Sequence, residues 1–98
     1  MGFEVIWTSR AELGYDRIIT YLKEEWTERE IRNFLRDTRK FLHLLQNNPR
    51  LLQPSPSKKN VFRGPMNRLT IVTYRIRPEK ELIEIIHVRG ARQKPLKP

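Results

Sequence analysis

The sequence contains no cysteine and only two histidines, and these shortages exclude several classes of protein. Without cysteine, the 98 residues form no disulfide framework, no thiolate zinc site and no cysteine nucleophile. Two histidines, His43 and His87, are too few for a typical transition-metal site, so no metal or other cofactor is predicted. No apolar run approaches the roughly 20 residues that span a bilayer, and residues 1–5 lack the basic start of a signal peptide. We therefore expect a cytoplasmic protein that has no membrane partner.

Acidic residues are scarce in the second half of the chain. The sequence has 20 Lys or Arg against 11 Asp or Glu, a net charge of +9. Residues 1–57 hold nine bases and eight acids, whereas residues 58–98 hold eleven bases and three acids. Three carboxylates cannot neutralise eleven cations, which predicts a polyanionic partner, either nucleic acid or an acidic protein segment. The length predicts a single domain over residues 1–98 with one modest core.

The first half of the chain has the pattern of one strand and two helices. Residues 3–7 alternate in the period of a half-buried strand. Ser9 begins the S-x-x-E spacing of a helix-capping box, and Thr27 begins a second one, each followed by apolar residues at three- and four-residue steps. The second helix is expected to end at residues 47–49, because a residue before proline avoids the helical conformation. Two helices this close in sequence predict an antiparallel hairpin.

The second half has the pattern of three strands. After a proline-containing connector at residues 50–57, we expect a short strand at 60–63 that ends at a Gly-Pro turn, then strands at 68–76 and 82–88. Residues 89–98 form a basic C-terminal tail. Together these elements predict an α+β fold in which an N-terminal strand, an antiparallel helical hairpin and a three-stranded antiparallel meander form a four-stranded sheet. The hairpin is expected to cover one face of that sheet and to leave the other free.

Arginines lie mostly at the ends of the predicted strands. Neighbouring strand ends meet at one edge of an antiparallel meander, so these cations are expected to converge on one sheet surface. An alternative stays open, since charged strand ends also protect sheet edges from aggregation. The cations concerned are Lys58, Lys59, Arg63, Arg68, Arg75, Arg89 and Arg92.

His87 has an ordinary pKa suited to proton transfer, but its position is ambiguous. Strict alternation along the last strand places His87 on the same face as Ile83 and Ile85, which favours a buried or boundary role. The same alternation places Glu84 on the opposite face, which argues against a Glu84–His87 pair.

Five short motifs occur in an order that covers nearly the whole chain. They are Phe3-Glu4-Val5-Ile6-Trp7-Thr8, Ile18-Ile19-Thr20-Tyr21-Leu22, Asn48-Pro49, Tyr74-Arg75-Ile76, and Ile83-Glu84-Ile85-Ile86-His87-Val88 leading into Ala91-Arg92-Gln93-Lys94-Pro95. In this order and spacing the chain resembles the RelE/ParE superfamily of toxins from bacterial type II toxin–antitoxin systems. The resemblance implies a four-stranded antiparallel sheet with a helical hairpin. It also implies a cognate antitoxin that covers the basic surface.

The resemblance leaves the cellular target open. Toxins of the RelE type cleave mRNA on the ribosome, whereas those of the ParE type poison DNA gyrase and cleave nothing. The lysine pair at 58–59 and the strand-end arginines Arg68 and Arg92 look like the RelE cleavage surface, whereas the long helical hairpin and residues 90–92 look like ParE. Residues 93–98 lack the aromatic or similar proton-transfer residue that RelE toxins place after their last arginine.

We predict a toxin that inhibits growth by ribosome-dependent mRNA cleavage, with gyrase poisoning as the alternative and a non-toxic, basic binding module as a third hypothesis. Metal-free RNA cleavage needs a group that takes the proton of the 2′-hydroxyl and cations that stabilise the phosphorane. His87 fits the first need, with Lys58 or Lys59 in reserve, and arginines fit the second. The predicted catalytic residues are Arg68, Arg75, His87 and Arg92, and the predicted nucleic-acid-binding residues are Lys58, Lys59, Arg63, Arg89 and Lys94.

Overall fold

Two helices follow the first strand, and the other strands follow the helices, in the computed structural model, which describes residues 2–67 and 69–91. Neither helix in these two ranges is long and apolar enough to cross a membrane. The elements are β1 (Glu4–Trp7), α1 (Ser9–Glu25), α2 (Glu28–Asn47), β2 (Gln53–Pro54), β3 (Val61–Asn67), β4 (Thr70–Arg77), a 3₁₀ turn (Pro78–Lys80) and β5 (Leu82–Gly90).

Both helices begin at a threonine cap. The capping box predicted at Thr27 is confirmed, since its hydroxyl accepts from the N–H of Glu30 at 3.2 Å and the Glu30 carboxylate accepts from the N–H of Thr27 at 3.0 Å. The cap of α1 is Thr8 and not Ser9 as predicted, because the Thr8 hydroxyl accepts from the N–H of Ala11 at 3.1 Å. Thr8 is extended (φ −74°, ψ 162°) and hydrogen-bonds to β5, so the helix starts at Ser9, one residue earlier than a Ser9 cap would place it.

The sheet confirms the predicted α+β class and differs from the prediction in two respects. Its strand order is β1-β5-β4-β3-β2, and β3, β4 and β5 form the expected antiparallel meander. The N-terminal strand β1 pairs with β5 in parallel, so the sheet is mixed and not wholly antiparallel. The connector adds a fifth strand, because Gln53 and Pro54 of β2 pair with Arg63 and Phe62 of β3. The strand predicted to end at a Gly-Pro turn continues through it to Asn67.

Pro65 fits inside β3 because of where the neighbouring strand ends. Strand β2 reaches only Phe62 and Arg63, so β3 is an edge strand at Pro65. An edge position tolerates a residue without an N–H, since one row of backbone groups there has no neighbouring strand to bond. At the other end of β2, the connector is tied to the core by Tyr74, whose hydroxyl donates to the Pro49 carbonyl at 2.7 Å.

The two helices pack on one face of the sheet and bury it. The fully buried sheet residues include Val72 and Tyr74 of β4 and Ile83 and Ile85 of β5. Helix α1 lies so close to β5 that a Cβ added at Gly14 would be 2.2 Å from the Val88 carbonyl oxygen. We call the opposite, uncovered side of the sheet the outer face. Its strand residues are Glu4 and Ile6 of β1, Arg63 and Pro65 of β3, Ile71, Thr73, Arg75 and Arg77 of β4, and Leu82, Glu84, His87 and Arg89 of β5.

Candidate nucleic-acid interface

A one-residue bulge in β5 places His87 on the outer face. Thr73 pairs with His87 and Tyr74 pairs with Ile85, so Ile86 has no partner on β4. The extra residue inverts the alternation of the strand: Ile83 and Ile85 point into the core, and after the bulge Val88 does so instead of His87. The expectation that His87 shares the face of Ile83 and Ile85 is therefore wrong. Glu84 and His87 lie on the same face, contrary to the strict alternation.

His87 has arginines on both sides within the sheet. Thr73 lies between Arg63 of β3 and His87 of β5 in one lateral row, which separates the two backbones by two strand spacings, about 10 Å. Arg89 lies two residues further along β5 on the same face, opposite Ile71. The Arg89 guanidinium donates to the carbonyl of Gly90 at 3.2 Å. Arg63 and Arg89 therefore lie on the same face of the sheet as His87.

A third arginine reaches His87 from a helix. Arg10 lies in the first turn of α1, directly after the Thr8 cap, and is exposed. Sequence reasoning missed Arg10, because it treated the residue as part of a capping box and the pairing of β1 with β5 is not visible in the local pattern. Partial burial of the imidazole, followed by the positive charges of Arg10, Arg89 and Arg63, lowers the pKa of His87 from its ordinary value of 6.5. The imidazole is accordingly neutral at physiological pH and can accept a proton.

The opposite end of the outer face carries two more arginines and both carboxylates of its described strands, Glu4 of β1 and Glu84 of β5. Arg77 forms an ion pair with Glu84 at 3.1 Å, and both side chains are partly buried. Arg75 lies opposite Glu84 in the register of β4 and β5. Within residues 2–67 and 69–91 Arg75 makes no ion pair or side-chain hydrogen bond, so its guanidinium is available to a ligand.

Lys58 and Lys59 lie on the loop between β2 and β3 and are exposed. The loop is shaped by Ser55, whose hydroxyl accepts from the N–H groups of Ser57 and Lys58. The loop ends at Val61, which pairs with Arg75. The two lysines therefore flank the Arg75 end of the outer face and not the His87 end.

Three predicted site residues lie outside the described part of the chain. They are Arg68, between β3 and β4, and Arg92 and Lys94, beyond β5. The predicted basic tail began at residue 89, but Arg89 and Gly90 belong to β5. Among the residues that the structure does describe, no group of three or more His, Cys, Asp or Glu side chains is placed to hold a metal ion.

The arrangement combines a proton acceptor with fixed cations on an open surface. Guanidinium groups bind phosphate oxygens through paired hydrogen bonds, and several of them along one face would follow a nucleic-acid backbone. A neutral imidazole among those cations can take a proton from a hydroxyl next to a bound phosphate. The outer face therefore has the residues needed to bind a single strand and to act on a ribose hydroxyl.

The fold is that of the RelE-type toxins. It is similar to the toxin–antitoxin complex RelBE2 of Mycobacterium tuberculosis (TM-score 0.63, 15% identity, 92% of this chain and 99% of that chain). It is equally similar to the isolated Escherichia coli RelE toxin (TM-score 0.63, 13% identity, 95% and 88%). The archaeal RelE–RelB complex of Pyrococcus horikoshii gives a TM-score of 0.61 at 14% identity, with 96% and 100% covered. No curated protein sequence is similar enough to count as a relative.

These likenesses show the fold, and a family model shows the class, the RelE/ParE superfamily of type II toxins. Within that class, the family model described as the ParE toxin of the type II toxin–antitoxin system parDE matches residues 5–95. The chain therefore belongs to the ParE toxin family, and it is a toxin of a type II toxin–antitoxin system.

Proposed function

We propose that this toxin inhibits growth by cleaving mRNA on the ribosome, with the outer face as its RNA-binding surface. The observation that carries the proposal is the placement of His87, whose lowered pKa leaves it neutral among Arg10, Arg63 and Arg89 on the open side of the sheet. A surface that only binds a polyanion needs cations, but it does not need a proton acceptor among them. Arg75 extends the binding surface, and Lys58, Lys59, Arg68, Arg92 and Lys94 are proposed as further contacts.

The chemistry is a transesterification within the RNA. The neutral imidazole of His87 takes the proton of a ribose 2′-hydroxyl, and the 2′ oxygen forms a bond to the adjacent phosphorus. The bond from phosphorus to the 5′ oxygen breaks, and the leaving oxygen takes a proton from water. The products are a 2′,3′-cyclic phosphate and a 5′-hydroxyl end. Arginines near the phosphate stabilise the extra negative charge of the phosphorane, where preorganised cations have their largest effect.

A cognate antitoxin is the proposed protein partner. Two similar structures are complexes of a RelE toxin with its RelB antitoxin, one from Escherichia coli and one archaeal, which supports an equivalent partner for this chain. The charge of the outer face favours an antitoxin segment that is acidic. Such a segment would occupy the face that we assign to RNA, so neutralisation of the toxin is proposed to be competitive.

Mapping of transcript ends after induction tests the proposal. We expect new 5′-hydroxyl ends within translated regions soon after wild-type toxin is induced. The variant His87→Ala should reduce the rate of cutting by about 100-fold or more, the usual contribution of a general base. The matched variant His43→Ala changes the other histidine, which lies on α2, and should cut at the wild-type rate. Growth arrest with intact mRNA would overturn the proposal.

Gyrase poisoning is the alternative, and one observation favours it. The matching family model is that of ParE toxins, the branch of the superfamily whose resemblance implies gyrase as the target. Purified toxin and DNA gyrase distinguish the two functions, because a poison blocks supercoiling in the absence of ribosomes and RNA. If His87→Ala still blocks supercoiling and still arrests growth, the target is gyrase and the outer-face chemistry plays no part.

A further inference from the structure

The bulge that turns His87 outward is contacted by residues on the side of β5 away from β4. Ile86 is the residue without a partner on β4, so its position depends on contacts made on the other side of β5. On that side lie the end of β1 and the start of α1. The backbone N–H of Thr8 donates to the Ile85 carbonyl at 3.0 Å, which extends the β1 pairing up to the bulge.

The hydroxyl of Thr8 makes three contacts at this point. It lies 3.0 Å from the carbonyl oxygen of Ile85 and 3.2 Å from that of Ile86, and it shares its single proton between them. It also accepts from the N–H of Ala11, as the cap of α1. One hydroxyl thus ties together the last residue before the bulge, the bulged residue and the helix that carries Arg10.

We propose that Thr8 is a positioning residue, whose hydroxyl fixes the bulge at Ile86 and thereby holds His87 on the outer face beside Arg10. Without the bulge, strict alternation would direct His87 into the core and Val88 outward. Without the hydroxyl, the two carbonyls lose a shared donor and α1 loses its cap, so the distance between Arg10 and His87 is no longer fixed. The catalytic part of this inference rests on the proposed function, whereas the positional part does not.

Three variants of the full chain separate positioning from general loss of stability. Thr8→Val keeps the shape of the side chain and removes the hydroxyl. Thr8→Ser keeps the hydroxyl and should restore wild-type behaviour. Thr27→Val removes the equivalent cap from α2, about 25 Å away at the far end of α1, and does not touch the bulge. Total chemical synthesis of the 98-residue chain avoids the toxicity of the wild-type protein, because it needs no ribosome.

Nuclear magnetic resonance measures the effect directly. In Thr8→Val we expect the cross-strand proton contacts between Thr73 and His87 to weaken. We also expect the pKa of His87 to shift from its wild-type value, because the burial of the ring and its distance from Arg10 both change with the bulge. Thr8→Ser and Thr27→Val should match the wild type in both measurements, and His43 supplies an internal control in the same spectra. A wild-type pKa and wild-type Thr73–His87 contacts in Thr8→Val would overturn the inference.

RNA cleavage then separates this inference from the proposed function. If both are right, Thr8→Val cuts mRNA at least about 10-fold more slowly than wild type, Thr8→Ser rescues the rate, and Thr27→Val leaves it unchanged. If Thr8→Val shifts the His87 pKa while none of the chains cuts mRNA, the positional inference stands and the proposed function fails. If Thr8→Val cuts normally with an unshifted pKa, the inference fails and the proposed function is untouched.

Discussion

At the level of single residues, the candidate site depends on the protonation state of one imidazole. His87 is partly buried and has arginines nearby on α1, β3 and β5, and both circumstances disfavour the imidazolium. Burial is the larger cause, and Arg10 is the largest of the charge effects. The environment therefore favours a base over an acid at this position.

Removing Arg10 should raise the pKa of His87. In Arg10→Gln the charge is lost and the side chain keeps most of its length, so the ring loses its most influential cationic neighbour. We expect a clear upward shift in the imidazole titration measured by nuclear magnetic resonance. Arg17→Gln is the matched control, because it removes one arginine from the same helix two turns further along. Equal pKa values in the two variants would show that Arg10 does not act on His87.

The lowered pKa of His87 also predicts how stability depends on pH. The unfolded chain binds a proton at this residue near pH 6.5, and the folded chain does so only at lower pH. Between the two pKa values the unfolded state holds more protons, so the free energy of unfolding falls as the pH falls, by at most about 1.4 kcal/mol per pH unit. This contribution is fully present above pH 6.5.

Denaturant unfolding of the wild type and His87→Gln checks this sign. The wild type should lose stability relative to His87→Gln as the pH is lowered from about 7.5 to about 5, and the two curves should run parallel above pH 7. His43 is present in both chains and cancels in the comparison. A wild type that gains stability relative to the variant on acidification would mean that His87 is held in its charged form.

At the level of elements, α1 packs on the inner side of β5, the strand that carries His87 and Arg89 on the outer face. Gly14 is needed there because of space, since a Cβ would come within 2.2 Å of a backbone oxygen that cannot rotate away. We expect Gly14→Ala to destabilise the fold by about 1–3 kcal/mol, the usual cost of overpacking. The measurement is chemical denaturation of the full chain.

A second glycine supplies the control for that substitution. At Gly64 on β3, an added Cβ would meet only the side chain of Leu52, at 3.3 Å, and that side chain can adjust. Gly64→Ala should therefore be close to neutral, or stabilising by up to about 1 kcal/mol through the unfolded state. If Gly14→Ala lowered the free energy of unfolding as little as Gly64→Ala, α1 would not lie as close to β5 as described.

The parts of the fold that the sequence predicted are those encoded by neighbouring residues. The order of one strand, two helices and a three-stranded meander, the Thr27 capping box and the end of α2 before Pro49 follow from local patterns, and all are present; only the short strand β2 was not predicted. The Thr8 cap and the bulge at Ile86 were not predictable in this way, because the hydrogen bonds from Thr8 to the bulge join residues that are 77 and 78 positions apart in the sequence. Strict alternation assigns residues to the wrong face of the sheet in any strand that contains an unrecognised bulge.

The sequence pattern indicates which face of the sheet the arginines occupy, but it places His87 on the wrong face. Arg63, Arg75 and Arg89 reach one face because three antiparallel strands place alternate residues there, which the sequence pattern could indicate. His87 was assigned to the inner face because strict alternation was assumed and the bulge at Ile86 was not recognised. Arg10 was missed because its proximity to His87 follows from the parallel pairing of β1 with β5, and no local pattern specifies that pairing.

At the level of the whole molecule, positive charge is present on both sides of the fold but is arranged differently. On α2, exposed arginines alternate with acids, and Arg32 and Arg36 lie 4.0 Å from Glu28 and Asp37. On the outer face, the described strands contribute two carboxylates, Glu4 and Glu84, and Arg77 already pairs with Glu84. A net charge of +9 alone would attract any polyanion to either side. The proposed function requires the outer face to be preferred.

The salt dependence of RNA binding decides between the two faces. If Arg10, Arg63, Arg75 and Arg89 each contact one phosphate, the affinity for a single strand should fall with a log–log slope of about −2.8, or about 50-fold between about 50 and 200 mM salt. The probe is single-stranded 2′-O-methyl RNA, which cannot be cleaved because it has no free 2′-hydroxyl.

Two double variants test which arginines contact the RNA. In the double variant Arg63→Gln/Arg89→Gln the slope should fall to about −1.4. The matched double variant Arg32→Gln/Arg36→Gln removes the same charge from α2 and should keep the wild-type slope, because those arginines face away from the bound strand. Equal slopes for the two double variants would mean that RNA affinity depends on the net charge of the protein alone, and that the outer face is not the binding surface.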